Sequence, residues 1–312
     1  MNSQASYRKI TSQLSRMTGS PCVTFHQRLA PQNPFPAALL DVFHGYLALL
    51  SPPPGSPHQA IPASSIVIAG DSSGGCLALS LLQVLLELQR SGISSVEYHG
   101  RKVNFAMPAG FTILSGVTDL TNALPSYKNN VSTDVFPAGP PPASLPSFPP
   151  CEIWPSTPPR GNLYCETEMM CHQITCPAMA EDWSGSPAVW FASGQEQIVD
   201  GVKVLAKKLS GQGVAVFFQE YELMPHCFMW ALSNSPQYRK IWGDWSGACK
   251  MLLRGEKFTT GAELVQAKGL ESVRVEIENL TTLTSDEARE LIVKAAKTFS
   301  DFTGQKAVST KL

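Results

Sequence analysis

The stretch Gly70-Asp71-Ser72-Ser73-Gly74 fits the pattern G-x-S-x-G, by which a chain can present a serine oxygen for attack. The central serine must occupy a strained turn so that its Oγ points away from the backbone around it. Glycines on either side, Gly70 and Gly74, let neighbouring backbone pass without Cβ clashes. The Ser73 N–H, at the start of a following helix, can face developing negative charge as an oxyanion donor. A serine nucleophile also needs an imidazole to take its proton and a carboxylate to orient that imidazole. His226, in Tyr221-Glu222-Leu223-Met224-Pro225-His226, follows an apolar run and is the candidate base. The candidate acid is Glu196, close behind another such run. Asp200 is the alternative, and it could simply cap the next helix.

The elements that must position these groups are legible as hydrophobic patterns. Residues 64–70 read as a buried strand, and residues 76–90 as a helix apolar on nearly every side. Strand, glycine turn and helix make one βα unit. Further strand-like runs fall at 110–115, 188–192 and 214–221, with a helical stretch at 200–209 between the last two. The expected fold is therefore α/β, a mostly parallel sheet flanked by helices. In α/β-hydrolases the order along the chain is nucleophile, acid, base. Ser72, Glu196 and His226 stand in that order, whereas His99 and His172 read as surface or structural histidines. Gly-Asp-Ser followed by Gly also surrounds the nucleophile of chymotrypsin-like proteases. Those are all-β and place His and Asp before the serine, so the helix after Ser72 argues against them.

Composition narrows the function classes. The chain has 312 residues, and 24 Lys and Arg against 25 Asp and Glu leave a net charge of −1, so no nucleic-acid partner is expected. The longest apolar run is too short to span a bilayer, and residues 2–16 are too polar for a secretory leader. Without export, the acceptor patterns at Asn130 and Asn279 read as chance. Cys165, Cys171 and Cys176 lack a C-x-x-C pair, so buried thiols are expected rather than a metal site. Residues 137–159 carry ten prolines and read as an extended flap, with Trp154 either shaping an acyl pocket or lying in a plain surface loop. After about Leu253 the chain becomes more charged, and 254–312 reads as a C-terminal extension to a 1–253 hydrolase domain. Its helix, at about 285–302, opens on the capping pair Thr284 and Glu287.

At this point the sequence resembles the hormone-sensitive-lipase-like branch of α/β-hydrolases (the fold-3 type), fungal members in particular. The likeness rests on the elbow, usually Gly-Asp-Ser-Ala-Gly-Gly in that family, and on four further stretches in order. These are Arg28-Leu29-Ala30-Pro31 with Pro34-Phe35-Pro36, then Leu114-Ser115 with Asp119-Leu120-Thr121, then residues 194–200, then Met224-Pro225-His226. The resemblance puts Glu196 in the acid's place, where many relatives carry Asp. The family's His-Gly-Gly-Gly loop, whose amides complete the oxyanion hole, has no counterpart before Ser72; Gly19 and Gly45 are isolated. The expectation is a hydrolase domain lacking its N-terminal strands and that loop: either the sequence begins inside a longer protein, or this version is a weakened enzyme.

The resemblance implies a serine carboxylic-ester hydrolase for a small or medium acyl ester, with no cofactor and no metal. Catalytically weakened small-molecule binding, as in plant gibberellin receptors of the same fold, is one alternative, and acyl transfer to an alcohol is another. The final Thr310-Lys311-Leu312 differs from a peroxisomal Ser-Lys-Leu address only in its first residue. It points to an import receptor as partner and to the peroxisome, with the cytoplasm as the alternative. Peroxisomal esterases of fungal toxin clusters resemble the same family, and a homodimer is compatible with all of these readings.

Overall fold

A computed structural model describes residues 4–137, 139, 149–157, 160–256 and 258–309. Thr310-Lys311-Leu312 and part of the proline-rich 137–159 stretch lie outside the described residues. In chain order the elements begin with helices α1 (Gln4–Thr18) and α2 (Ala37–Leu50), strand β1 (Val67–Asp71) and helix α3 (Ser73–Arg90). There follow β2 (Ser95–Tyr98), β3 (Arg101–Asn104), β4 (Gly110–Leu114), the short α4 (Ser126–Asn129), β5 (Val189–Gly194) and α5 (Val199–Gly211). The chain continues through β6 (Val216–Tyr221), the short α6 (Phe228–Ala231), α7 (Pro236–Leu253), β7 (Gly261–Val265), β8 (Ser272–Val275) and α8 (Ser285–Ser309).

The runs at 110–115, 188–192 and 214–221 become β4, β5 and β6, largely buried on both faces as is usual in a parallel sheet. Strand β1, expected to be buried, is only half-buried because it lies at the edge of the described sheet. The sheet order is β1-β4-β5-β6-β7-β8, parallel from β1 to β7, with β8 antiparallel at the far edge. The hairpin β2-β3 stands apart from it. Alternate residues serve opposite faces. Phe111, Ile113, Phe191 and Phe218 meet Leu79 and Leu82 of α3 and Val202, Leu205 and Leu209 of α5. Leu114, Trp190 and Tyr221 meet Leu14 of α1 and Trp242 and Trp245 of α7. Helix α2 packs outside α3, placing Leu39, Tyr46 and Leu49 against Leu77, Leu81 and Leu85. This is an α/β-hydrolase sheet flanked by helices.

Residues beyond 253 do not stand apart from the rest. Strand β7 pairs with β6, Phe217 opposite Gly261, so this segment widens the same sheet. Helix α8 opens with the expected reciprocal cap between Thr284 and Glu287 and buries Ala288 and Ile292. It runs on to Ser309, past the expected end near 302. At the opposite edge, β1 pairs with β4 alone among the described residues, and Ala69 is exposed. Trp154 is buried, with the Arg160 guanidinium 5.6 Å above its ring, a packing contact rather than a surface position. The Cys76 and Cys176 thiols donate to the Thr175 and Thr118 carbonyls, and all eight cysteines are free.

Candidate active site

Strand β1 ends at Asp71 and α3 begins at Ser73, so Ser72 alone makes the turn. Its φ of 53° and ψ of −122° put a residue with a Cβ in the left-handed half of backbone space. Such a conformation costs about 1–3 kcal/mol and needs support from its surroundings. The Ser72 N–H donates to the Leu114 carbonyl, and the Ser72 carbonyl accepts from the Val117 N–H. A Cβ on Gly70 would collide with the Gly74 carbonyl, so the first motif glycine is required by close approach. The sequence expectation for Gly74 is not met, because a Cβ there would stand in open space. The second close approach belongs to Gly75, whose Cβ would come within 2.9 Å of the Gly116 Cα. The Ser73 N–H, first in an 18-residue helix, has no carbonyl four residues back within that helix.

His226 comes from the loop after β6, between two residues of positive φ, Leu223 at 57° and Cys227 at 52°. Its Nε2 lies 2.9 Å from Ser72 Oγ, and its Nδ1 lies 2.8 Å from Glu196 Oε2. A carboxylate accepts, so Nδ1 carries the proton and Nε2 is left to accept from the Ser72 hydroxyl. Glu196 is fully buried, and its second oxygen, Oε1, has no hydrogen-bond partner among the described residues. Burial alone would lower the imidazole's pKa. The hydrogen bond and charge of Glu196, with Asp134 and Asp71 behind it, outweigh that and hold it above its ordinary value of 6.5. Asp200 is not in this chain of contacts. Its Oδ2 accepts from the Ser126 N–H at 2.8 Å, and its own N–H donates to Ser126 Oγ.

The structure thus brings Ser72, His226 and Glu196 together and places Asp200 elsewhere. His99 sits at positive φ in the β2-β3 turn, and exposed His172 accepts from the Ile174 N–H. Sequence reasoning passed over Asp71, although it stands inside the motif. Its carboxylate accepts from Tyr7 Oη of α1, at 2.8 and 3.0 Å, and from Trp230 Nε1 at 3.0 Å. Burial raises its pKa, and those donors offset part of the rise. It also missed Phe136, whose ring lies 4.5 Å from that of His226. Among the described residues no group of three His, Cys, Asp or Glu is placed to hold a metal ion.

Residues 1–145 match the model of a family described as having the alpha/beta hydrolase fold. The crystal structure of EstE5 soaked with p-nitrophenyl butyrate superposes with a TM-score of 0.63, covering 81% of this chain and 73% of that one at 22% identity. The chain has the α/β-hydrolase fold. A hormone-sensitive lipase from a metagenome library gives a TM-score of 0.61 at 24% identity, over 81% of this chain and 72% of that one. An acetyl-hydrolase of Streptomyces hygroscopicus is 25% identical over 241 residues, 77% of this chain and 68% of its own length. Esterase LipU of Mycobacterium tuberculosis is 31% identical over 136 residues, 43% of this chain and 37% of its own length. The hydrolase fold here thus spans about two thirds of one relative and well under half of the other. No helix among the described residues is long and apolar enough to cross a membrane.

Proposed function

We propose that this chain is a serine carboxylic-ester hydrolase acting on small or medium acyl esters. The observation that carries the reading is the unbroken line from Ser72 Oγ to His226 to Glu196, with 2.9 and 2.8 Å steps. In the first half-reaction, Ser72 Oγ bonds to the acyl carbon while its proton passes to His226 Nε2. The carbonyl oxygen becomes an oxyanion facing the Ser73 N–H and the start of α3. When the carbon–oxygen bond to the alcohol breaks, the alcohol leaves with the His226 proton. Water then attacks the acyl-enzyme, giving its proton to His226, and the acid departs as Ser72 takes that proton back. Glu196 keeps Nδ1 protonated throughout and stabilises the imidazolium that forms in each half. A short acyl group is supported by the likeness to an acetyl-hydrolase over 77% of this chain.

The test is covalent. A fluorophosphonate probe should form an adduct that peptide mass spectrometry places on Ser72, and Ser72→Ala should abolish both the adduct and p-nitrophenyl acetate hydrolysis. A wild-type protein that never labels at Ser72 would refute the assignment. Because the base must be neutral to accept a proton, and its pKa is raised, kcat/KM should fall on the acid side with a midpoint above 6.5.

A further inference from the structure

The acid and the base sit on loops that leave adjacent strands, with Gly194 of β5 opposite Tyr221 of β6. Beyond that pair the two chains leave the ladder, and a third segment bonds to both loops. Residues 130–136, which follow α4, bond to three consecutive residues of the acid loop. Thr133 Oγ1 donates to the Gln195 carbonyl at 2.6 Å, and Asn130 Nδ2 donates to the Glu196 carbonyl at 2.9 Å. The Gln197 N–H donates to Asp134 Oδ2 at 2.6 Å. The other oxygen of the same carboxylate, Oδ1, accepts from the His226 N–H at 3.0 Å and from the Val135 N–H at 2.6 Å. One carboxylate therefore holds the residue after the acid and the base itself. Two positions on, Phe136 closes the same corner: its carbonyl accepts from Gln197 Nε2 at 2.9 Å, and its ring lies tilted by 36° against the imidazole.

We propose that Asp134 is a positioning residue that fixes His226 and Glu196 relative to each other by binding both loops through one carboxylate. The proposal rests on the reading of Ser72, His226 and Glu196 as a catalytic set. Its physical basis is geometric. A backbone N–H bonded to a charged acceptor makes a short, strong bond, and two such bonds to one rigid carboxylate set the spacing of their donors. Small displacements of catalytic groups are costly, since an error of about 1 Å can lower a rate about 10²-fold. Asp134 also adds negative charge beside the imidazole, in the direction that favours its protonated form. The groups facing His226 are Glu196 and Ser72, which bond its ring, with the carboxylates of Asp134 and Asp71 beside it. A purely structural loop aspartate would stabilise the fold without changing how His226 titrates.

The variant Asp134→Asn keeps the size and removes the charge and one of the two accepting oxygens. Amide hydrogen exchange read residue by residue should show Gln197 and His226 losing protection by at least about 10-fold. The midpoint of the His226 ring titration, followed by NMR, should move down. With p-nitrophenyl acetate, kcat should fall about 10-fold or more while KM stays within about twofold. Asn130→Ala removes a bond to the same loop but no charge, and it should leave the titration unmoved. If Asp134→Asn folds poorly, Asp134→Ser, which can still accept one N–H, is read by the same measures. Unchanged exchange at both amides together with an unmoved titration would overturn the proposal, as would a loss of kcat no greater than that of Asn130→Ala. Exchange and titration need no turnover. A wild-type protein that fails to label at Ser72 therefore sinks the esterase reading, while these two measurements still decide what Asp134 does.

Discussion

Ser72 and His226 face each other across 2.9 Å, yet the chain holds them in different ways. The serine sits between the end of β1 and the start of α3, with a glycine at 70 that admits the Gly74 carbonyl, and its backbone is bonded to the main chain of Leu114 and Val117. The base and the acid lie 30 residues apart on separate loops, tied together by a carboxylate 92 residues before the base. A nucleophile on a strand-to-helix turn borrows rigidity from two regular elements. A base on a loop has no such support and must be held by side-chain bonds to its backbone. The nucleophile side is not purely local either, because Asp71 is held from 64 residues upstream by Tyr7 and from 159 downstream by Trp230. The difference lies in what does the holding: main-chain groups of Leu114 and Val117 bond the serine's backbone, whereas a side-chain carboxylate bonds the backbone of the base.

The sharpest way to break the acid–base half is to exchange the two candidate acids. In Glu196→Gln the side-chain amide can donate to Nδ1, which leaves the proton on Nε2, where it no longer accepts from Ser72. We expect kcat/KM to drop about 10³–10⁴-fold with little change in melting temperature. Asp200→Asn should stay within a few-fold of wild type, since its oxygen can still accept from the Ser126 N–H. Equal damage from the two variants would show that Glu196 has been misassigned.

The same contrast explains what could be read from the sequence. The elbow is legible because Ser72 and the Gly70 it needs lie together between a strand and a helix, although the second close approach, of Gly75 to Gly116, falls outside the five-residue motif. His226 is legible because a proline turn follows an apolar run. Glu196 was favoured over Asp200 by its distance from the strand end, and the structure gives Asp200 a task at the start of α5 instead. Asp134 carried no signal. Its role depends on meeting N–H groups 63 and 92 residues away, and backbone donors leave no trace in residue type. Strands β7 and β8 were hidden for another reason. At the edge strand β8 and its neighbour β7 the ladder carries charges such as Arg274 opposite Glu263, and so these strands resemble a polar extension. The capping pair of α8 could be read because Thr284 and Glu287 lie one turn apart.

Glycine substitutions sharpen the comparison further, because close backbone approach occurs on both sides. A Cβ on Gly194 would strike the Met224 carbonyl and push the base loop off the acid loop. Gly194→Ala should therefore lower kcat about 10²-fold, with slower phosphonate labelling of Ser72 to match. Gly70→Ala should do comparable harm from the other side by opening the elbow. Gly74→Ala should be tolerated despite its place in the motif. It sits in the first turn of α3 with open space around it and should gain up to about 1 kcal/mol of helix stability in thermal unfolding. A strongly inactive Gly74→Ala would mean that the motif, rather than the approach seen here, sets the requirement.

The smallest expected effect tests the remote hold on the nucleophile side. Tyr7→Phe removes one donor from the Asp71 carboxylate and leaves Trp230 in place. The neutral variant should cost about 1 kcal/mol and change kcat/KM only a few-fold. Its pH dependence carries the argument. Burial raises the Asp71 pKa, so the contribution of this group to stability is fully present below the unfolded value of about 3.9 and is lost as pH rises through the folded one. The Tyr7 hydroxyl opposes that loss by stabilising the ionised form, so its removal should lower the melting temperature more at pH 7 than at pH 4. A penalty of the same size at both pH values would show that the Tyr7 hydroxyl does not distinguish the ionised from the protonated Asp71, and would overturn this account of the remote hold.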